Sequence, residues 1–260
     1  MTPIRTHYPN GQLECEGFIN KELQVGNWIF YHENGKLFSK GQYDDNGNPN
    51  GVWIEYFDNG QIKYEAVSPH GNSFSLDNDN LEIITYWTED GIPLIVNGNG
   101  KLTTYFDNGN IQHISYWTNK LKNGTLQEFY ESGQLNIERE YKEGVKDGIG
   151  KVFSENGILI YEYYYLKGEP IGKVKEWYES GHIAEEGEYI NGEHLVLNFW
   201  TETGEQILKD GNGKAKRKYG ATGGDIYEQY FDKGKMTGEK KIAGVTYGQF
   251  IPDKNKKNGL

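Results

Sequence analysis

The side chains here with the means for acid–base, metal or nucleophilic chemistry are 6 histidines, 38 carboxylates and 1 cysteine. Catalysis and metal binding need such groups gathered at one place. The histidines, His7, His32, His70, His113, His182 and His194, are scattered along the chain. His32 stands where related segments carry Phe57, Phe106 and Tyr130, and His182 stands beside a turn, so both fill slots of a repeating pattern. His70 has no such explanation. Carboxylates recur beside turns at Glu33, Asp58, Glu89, Asp107, Glu131, Glu155, Glu179, Glu202 and Asp232. As chemistry this would be a row of general acids. As structure it is a solvated rim that protects a sheet edge, and that reading is adopted. The same rim lays down a negative stripe suited to a basic partner.

Other chemical motifs dissolve on inspection. "NGNGK" (97–101) and "DGNGK" (210–214) lack the spacing of a phosphate loop and its following helix. "DDNGNPNG" (44–51) and "DNDN" (77–80) offer oxygen ligands without the closing Glu of a calcium loop. Cys15 is alone, which excludes an intrachain disulfide, and its expected role is that of a small hydrophobe. No Ser-His-Asp or Cys-His set is recognisable. The sequence predicts no enzyme, no cofactor and no metal.

What positions these residues is a repeat. Turn glycines recur at Gly11, Gly35, Gly60, Gly91, Gly109, Gly133, Gly157, Gly181, Gly204 and Gly234, with a dominant interval of 24 residues. Each follows Asn, Asp, Ser, Thr or Lys, the chemistry of a two-residue hairpin turn. Such a turn sets Glu33 against Lys36, His32 against Leu37 and Tyr31 against Phe38. Four residues before every glycine but the first, where His7 stands, runs an aromatic column: Tyr31, Tyr56, Trp87, Tyr105, Phe129, Phe153, Trp177, Trp200 and Tyr230. Two residues after it runs an aliphatic one: Leu13, Leu37, Ile62, Ile111, Leu135, Leu159, Ile183 and Met236. Under a two-residue turn the columns fall on opposite faces. A third marker, Trp28, Trp53, Leu102, Leu126 and Val174, opens the first strand of several units.

Two units depart from the rule. "WTEDGIPLIVNGNGK" (87–101) and "WTETGEQILKDGNGK" (200–214) match at a distance of 113, with insertions at 68–80 before the first and 218–225 after the second. Long loops in repeat arrays carry specific contacts or are tolerated surface additions; both readings stand.

With 260 residues, 35% hydrophobic but rich in aromatics (Tyr 20, Phe 11, Trp 6) and Gly 35, the chain predicts an all-β repeat array of about ten stacked hairpins. Its expected form is an elongated, twisted single-layer antiparallel sheet over residues 1–250, with a flexible charged tail at 251–260. The net charge of −11 disfavours nucleic acid and anionic lipid. The start lacks a signal-peptide core and no segment reaches transmembrane length, so the expected compartment is the cytoplasm unless an export signal has been removed.

"GNWIFYHENGKL" (26–37), "GVWIEYFDNGQI" (51–62) and, more loosely, "GTLQEFYESGQL" (124–135) resemble the MORN repeat. The longer period and the E/D-N-G turn look most like bacterial MORN-variant repeats of YwqK-type antitoxin proteins. That resemblance implies hairpins stacked edge to edge and a non-catalytic immunity protein that neutralises a partner toxin by direct binding. It leaves two alternatives: a scaffold that self-associates through end hairpins such as 238–250, and glycan or cell-surface binding by exposed aromatics. The partner-binding residues expected are the nine members of the aromatic column with His70, Asp77 and Asp79 in the first insertion. Where the repeat loses its leading Trp, as in "GIGKVFSENGIL" (148–159), the array either loosens or receives something other than a neighbouring hairpin.

Overall fold

The computed structural model describes residues 1–67, 76, 81–219 and 225–243, and among them there is no helix. The strands are β1 (Thr2–His7), β2 (Leu13–Asn20), β3 (Leu23–Tyr31), β4 (Leu37–Tyr43), β5 (Pro49–Tyr56), β6 (Ile62–Val67), β7 (Glu82–Trp87), β8 (Pro93–Val96), β9 (Asn99–Tyr105), β10 (Ile111–Thr118) and β11 (Leu121–Lys122). There follow β12 (Gly124–Phe129), β13 (Leu135–Lys142), β14 (Val145–Phe153), β15 (Leu159–Leu166), β16 (Glu169–Trp177), β17 (Ile183–Ile190), β18 (Glu193–Trp200), β19 (Gln206–Lys209), β20 (Asn212–Tyr219), β21 (Asp225–Asp232) and β22 (Lys235–Ala243). All 22 belong to one open antiparallel sheet. The chain divides into two compact units, Met1–Pro170 and Ile171–Leu260.

The turn glycines close hairpins, but not by the two-residue turn that Asn-Gly predicts. At Gly35 the amide donates to His32 O (2.8 Å) and His32 N donates to Lys36 O (2.8 Å). Tyr31 then pairs with Leu37, and a bulge separates Tyr31 from Phe30. This is a type I turn completed by a glycine at φ 81°, a three-residue loop with a bulge. Asn34 does not take the positive φ that a two-residue turn requires. The same pair of bonds recurs at Gly11, Gly60, Gly91, Gly109, Gly133, Gly157, Gly181 and Gly204. Among the ten, only Lys233-Gly234 forms the two-residue turn, joining Asp232 to Lys235. Elsewhere that turn serves the connections between repeats, as at Asn191-Gly192 and Glu143-Gly144.

The correction moves a column. Residues directly opposite in an antiparallel pair share a face. Tyr31 opposes Leu37, Tyr56 opposes Ile62, Phe129 opposes Leu135 and Trp177 opposes Ile183. The aromatic and aliphatic columns therefore stand on one face, not on opposite ones.

The other face holds the core. Trp28 is buried, its ring lying over Gly17, and Trp53 lies over Gly41 in the same way. Trp28 also stacks on Phe30 (5.6 Å) and meets Tyr43 edge-on, and its Nε1 donates to Phe18 O (3.1 Å). Leu102, Leu126 and Val174 occupy the Trp28 position in later repeats and are likewise buried. In "GIGKVF" the arrangement is inverted. Gly150 stands where Trp28 would, and Tyr163 from β15 covers it: a Cβ on Gly150 would lie 2.8 Å from Tyr163 Cδ2 and nearer still to Cε2. The unit that lost its Trp is refilled by a ring from the neighbouring strand.

Each variant unit makes a corner. Asn97-Gly98 turns β8 into β9, Gly98 N donates to Ile84 O, Lys120 N to Gly98 O and Ile83 N to Lys120 O (2.7, 2.8 and 3.0 Å). In the second unit Gly211 N donates to Leu197 O, Gly234 N to Gly211 O and Val196 N to Gly234 O (2.7, 2.9 and 2.9 Å). Beneath the first corner sits a core of Tyr64, Ala66, Leu81, Ile83, Tyr86, Ile95, Leu102 and Trp117. Beneath the second sits one of Val196, Phe199, Leu208, Ala215 and Phe231. The irregular repeats are where backbone from three strands converges over a hydrophobic cluster.

Candidate functional site

Two ladders tie the turns together along the rim. In the type I turns with Asn10, Asn34, Asn59 or Asn108 before the glycine, the asparagine folds back on its own loop, Asn34 Oδ1 accepting from Lys36 N (2.9 Å), while Nδ2 donates to the next turn, to Asp58 O (2.9 Å). Asn10 to Glu33 O, Asn59 to Glu89 O and Asn108 to Glu131 O repeat that link. The residue three before the glycine adds a second link where it is Tyr or His. Tyr8 Oη donates to Tyr31 O and Tyr130 Oη to Phe153 O, and His32 Nε2 lies 3.1 Å from Tyr56 O. In the second unit Tyr178 Oη donates to Trp200 O, and His182 Nδ1 bonds Glu202 O. His32 and His182 thus join repeats.

The nine carboxylates beside the turns are all exposed. Five of them, Glu33, Asp58, Glu89, Glu131 and Glu202, accept ladder bonds through their carbonyl oxygens, and successive carboxylates within a unit stand two strands apart, about 10 Å.

Of the aromatic column, eight rings are half-buried and Tyr105, at 61%, is exposed. Tyr31 Oη donates to Glu16 Oε1 (3.1 Å), Lys40 Nζ sits 5.7 Å from the centre of the Tyr56 ring, and Lys214 Nζ covers Tyr230 at 5.1 Å. Tyr230 Oη also donates to Glu228 Oε2 (2.6 Å), which holds the phenol above its ordinary pKa. Trp87, Phe129, Phe153, Trp177 and Trp200 complete the row. His70, Asp77 and Asp79 lie outside the described residues, as do most of both insertions and the 251–260 tail.

The columns do not announce a depression on the same face across β1–β5. Pro3, Arg5, Glu16, Phe18, Asn27 and Ile29 line one part of it. Asn27 and Ile29 continue into a second part with Lys40, Gln42, Val52 and Ile54. Phe18 is 42% and Val52 46% exposed, so the apolar lining is open to a partner. In the second unit the matching hollow is lined by Lys173, Lys175, Glu186, Glu188 and Asn198 around Val174, Gly187 and Leu197.

The second unit also buries a charge cluster. Glu185 is buried, with Oε1 at 3.1 Å from His194 Nε2 and Oε2 against Arg217 Nη2. Arg217 reaches Glu176 (3.6 Å) and lies over the Phe199 ring (5.1 Å). His194 stacks on Tyr189 (4.9 Å) and covers Gly187, the slot that Trp28 fills over Gly17. Burial pulls the His194 pKa below its ordinary value, and the opposing pull of Glu176 is the smaller effect. Among the described residues no three His, Cys, Asp or Glu side chains gather in a way that would hold a metal, and no helix is long and apolar enough to cross a membrane.

The MORN repeat variant family model matches residues 24–45, 49–67, 99–119, 122–143, 146–167 and 170–191. The unmatched stretches contain both variant corners. No curated protein matches. Among solved structures the chain is similar to one described as "Crystal Structure of TcdB2-TccC3-Cdc42", at 10% identity over 94% of this chain and 18% of that one. The TM-score is 0.19, too small to carry an argument, and this chain spans less than a fifth of that one's length.

Proposed function

This chain belongs to the MORN repeat variant family, with six repeats matched between residues 24 and 191, and we propose that it is a non-catalytic antitoxin of the immunity type. It acts in the cytoplasm and neutralises a toxic protein by covering it. A protein-binding role follows from the repeats themselves. The observation that supports blocking is the open face, where half-buried aromatic–aliphatic pairs recur beside exposed apolar side chains, so that a flat partner can be covered without any moving part. The exposed acidic rim favours a partner with a basic surface. The finer reading, a toxin as partner, rests on the likeness of the repeats to YwqK-type proteins.

Both alternatives meet obstacles. Glycan stacking needs a run of bare ring faces, yet in the column Lys40 and Lys214 already lie over Tyr56 and Tyr230, and Tyr105 alone is exposed. Growth by end-to-end pairing would set β22, with Lys235, Glu239, Lys240 and Lys241, against β1, which offers no carboxylate to pair with the three lysines and whose Arg5 is held by Glu16. The deciding experiment expresses the product of the adjacent open reading frame in the host with and without this chain. Growth arrest relieved by the chain, together with a stable complex of the two proteins, supports the proposal. A neighbouring product that is harmless and does not bind would sink it.

A further inference from the structure

We infer that the β1–β5 depression is the docking site itself, and that it receives a partner segment carrying an acidic side chain among apolar ones. The inference rests on the protein-binding reading and specifies its contact.

Comparison of equivalent positions within the chain carries it. Five residues after the turn glycine stands a residue of the open face: Glu16, Lys40, Glu65, Ile114, Glu138, Glu162 and Glu186. Lys40 is the one cation in this row of seven; after Gly91, Gly204 and Gly234 the position carries Val96, Lys209 and Glu239, and Lys209 lies at the second corner opposite Asn212. Three residues after the glycine that opens the preceding strand stand Ile29, Ile54, Thr103, Gln127, Lys151 and Lys175. The two rows face each other across strands. Where the second row carries lysine, charges are matched: Lys151 pairs with Glu138 on one side and Glu162 on the other, and Lys175 pairs with Glu186. Around Lys40 the logic fails. It pairs with Ile29 on one side and Ile54 on the other, and its Nζ lies over the Tyr56 ring.

The fold therefore does not require isoleucine at 29 and 54, because later repeats build the same strands with Thr, Gln or Lys. Nor does it require lysine at 40, because Glu is the usual occupant. Apolar side chains left open on a sheet face, with a cation set among them and no carboxylate opposite, form a surface whose complement is apolar with an anion at its centre. Phe18 and Val52 extend the apolar border, and Arg5 is already taken by Glu16 (2.9 Å). This leaves Lys40 as the charge on offer.

The test pans a displayed random 12-residue peptide library on the full-length chain, then measures the enriched peptides, made synthetically, against wild type, K40E and the I29T/I54Q double variant. Thr and Gln are the residues of later repeats, so that variant keeps the strands, and melting curves verify that both variants fold. Peptides with Asp or Glu flanked by apolar residues should be enriched. They should bind K40E and I29T/I54Q on the order of tenfold more weakly or worse. Enrichment without an acidic preference, no enrichment at all, or unchanged binding to folded K40E would overturn the inference. Rescue from a neighbouring toxin that persists in K40E would place the toxin contact elsewhere, overturning the assignment of this depression as the docking site while leaving the antitoxin reading intact.

Discussion

Replacing Gly17 by alanine adds a single methyl group where the core face has no room. Gly17 has an ordinary backbone conformation, so the substitution strains no dihedral. Its Cβ would lie 2.7 Å from Trp28 Cγ and closer still to Cδ2 and Cε2. Carbon atoms in contact prefer about 3.5–4.0 Å, so the indole has to withdraw by roughly 1 Å. It cannot do so freely, because Phe30 stacks on it, Tyr43 meets its edge, and its Nε1 is bonded to Phe18 O. Overpacking of this kind costs about 1–3 kcal/mol, and a weakened N–H···O bond adds about 1 kcal/mol. The expected loss for G17A is therefore about 2–4 kcal/mol. Two companions separate this cause from others. Gly238→Ala, where nothing lies within 4 Å of the new methyl, should be neutral or slightly stabilising. In a Trp28→Val background the clash is gone, so G17A should cost about 0.5 kcal/mol or less, although W28V itself costs about 3 kcal/mol through lost burial. Urea unfolding gives the differences, and amide exchange on β2 and β3 localises them, which matters because repeat arrays need not unfold in one step. Equal costs for G17A in the wild-type and W28V backgrounds would refute the packing account.

Other outcomes follow from the same geometry. Asn34→Ala removes a bond within one turn and a bond to the next; a loss of about 1–2 kcal/mol is expected, with faster amide exchange in the turns at both Gly35 and Gly60. Gly98→Ala combines a positive φ of 76° with a Cβ 2.8 Å from Lys120 Cα and nearer to its amide nitrogen; the first corner should lose more than about 3 kcal/mol, read as loss of near-ultraviolet signal from the buried aromatics. His194 has a folded pKa below its unfolded value of about 6.5. The unfolded chain then takes up the proton first, so the second unit keeps its full stability above that pH and loses it as pH falls toward the folded pKa. A His194→Gln variant should flatten that slope in melts between pH 7 and 5, and an unchanged slope would show that another group is responsible.

How much of this the sequence displays depends on the range over which each feature is encoded. The period, the all-β class and the hairpins are local: each turn glycine and its flanking ring lie within one unit, so reading a single unit suffices. The turn type is also local, yet Asn-Gly alone cannot decide it. Five residues separate Tyr31 from Leu37, and only a three-residue loop with a bulge puts that aromatic and that aliphatic opposite each other on one face. The next unit shows the choice more clearly, because a two-residue turn would set Lys63 against Tyr56 whereas the three-residue loop sets Ile62 there. The core rule needs two units at once, because Gly17 answers to Trp28 and Gly41 to Trp53, and the exchange at Gly150 and Tyr163 becomes visible only when both columns are compared. The Glu185, His194 and Arg217 cluster was not legible at all. Arg217 arrives through the second corner, on a strand displaced from the 24-residue period, so no spacing rule could have placed it beside Glu185. Lys40 falls between these cases. Its pairing with Ile29 is the one a two-residue turn would also give, because the bulge beside Tyr31 restores the register, and what stays hidden is Ile54, which the following connection brings to its other side. Once both pairings are in place, a lysine between two isoleucines stands out against the Glu138, Lys151, Glu162 row, and the departure from the repeat becomes the clue to what the repeat is used for.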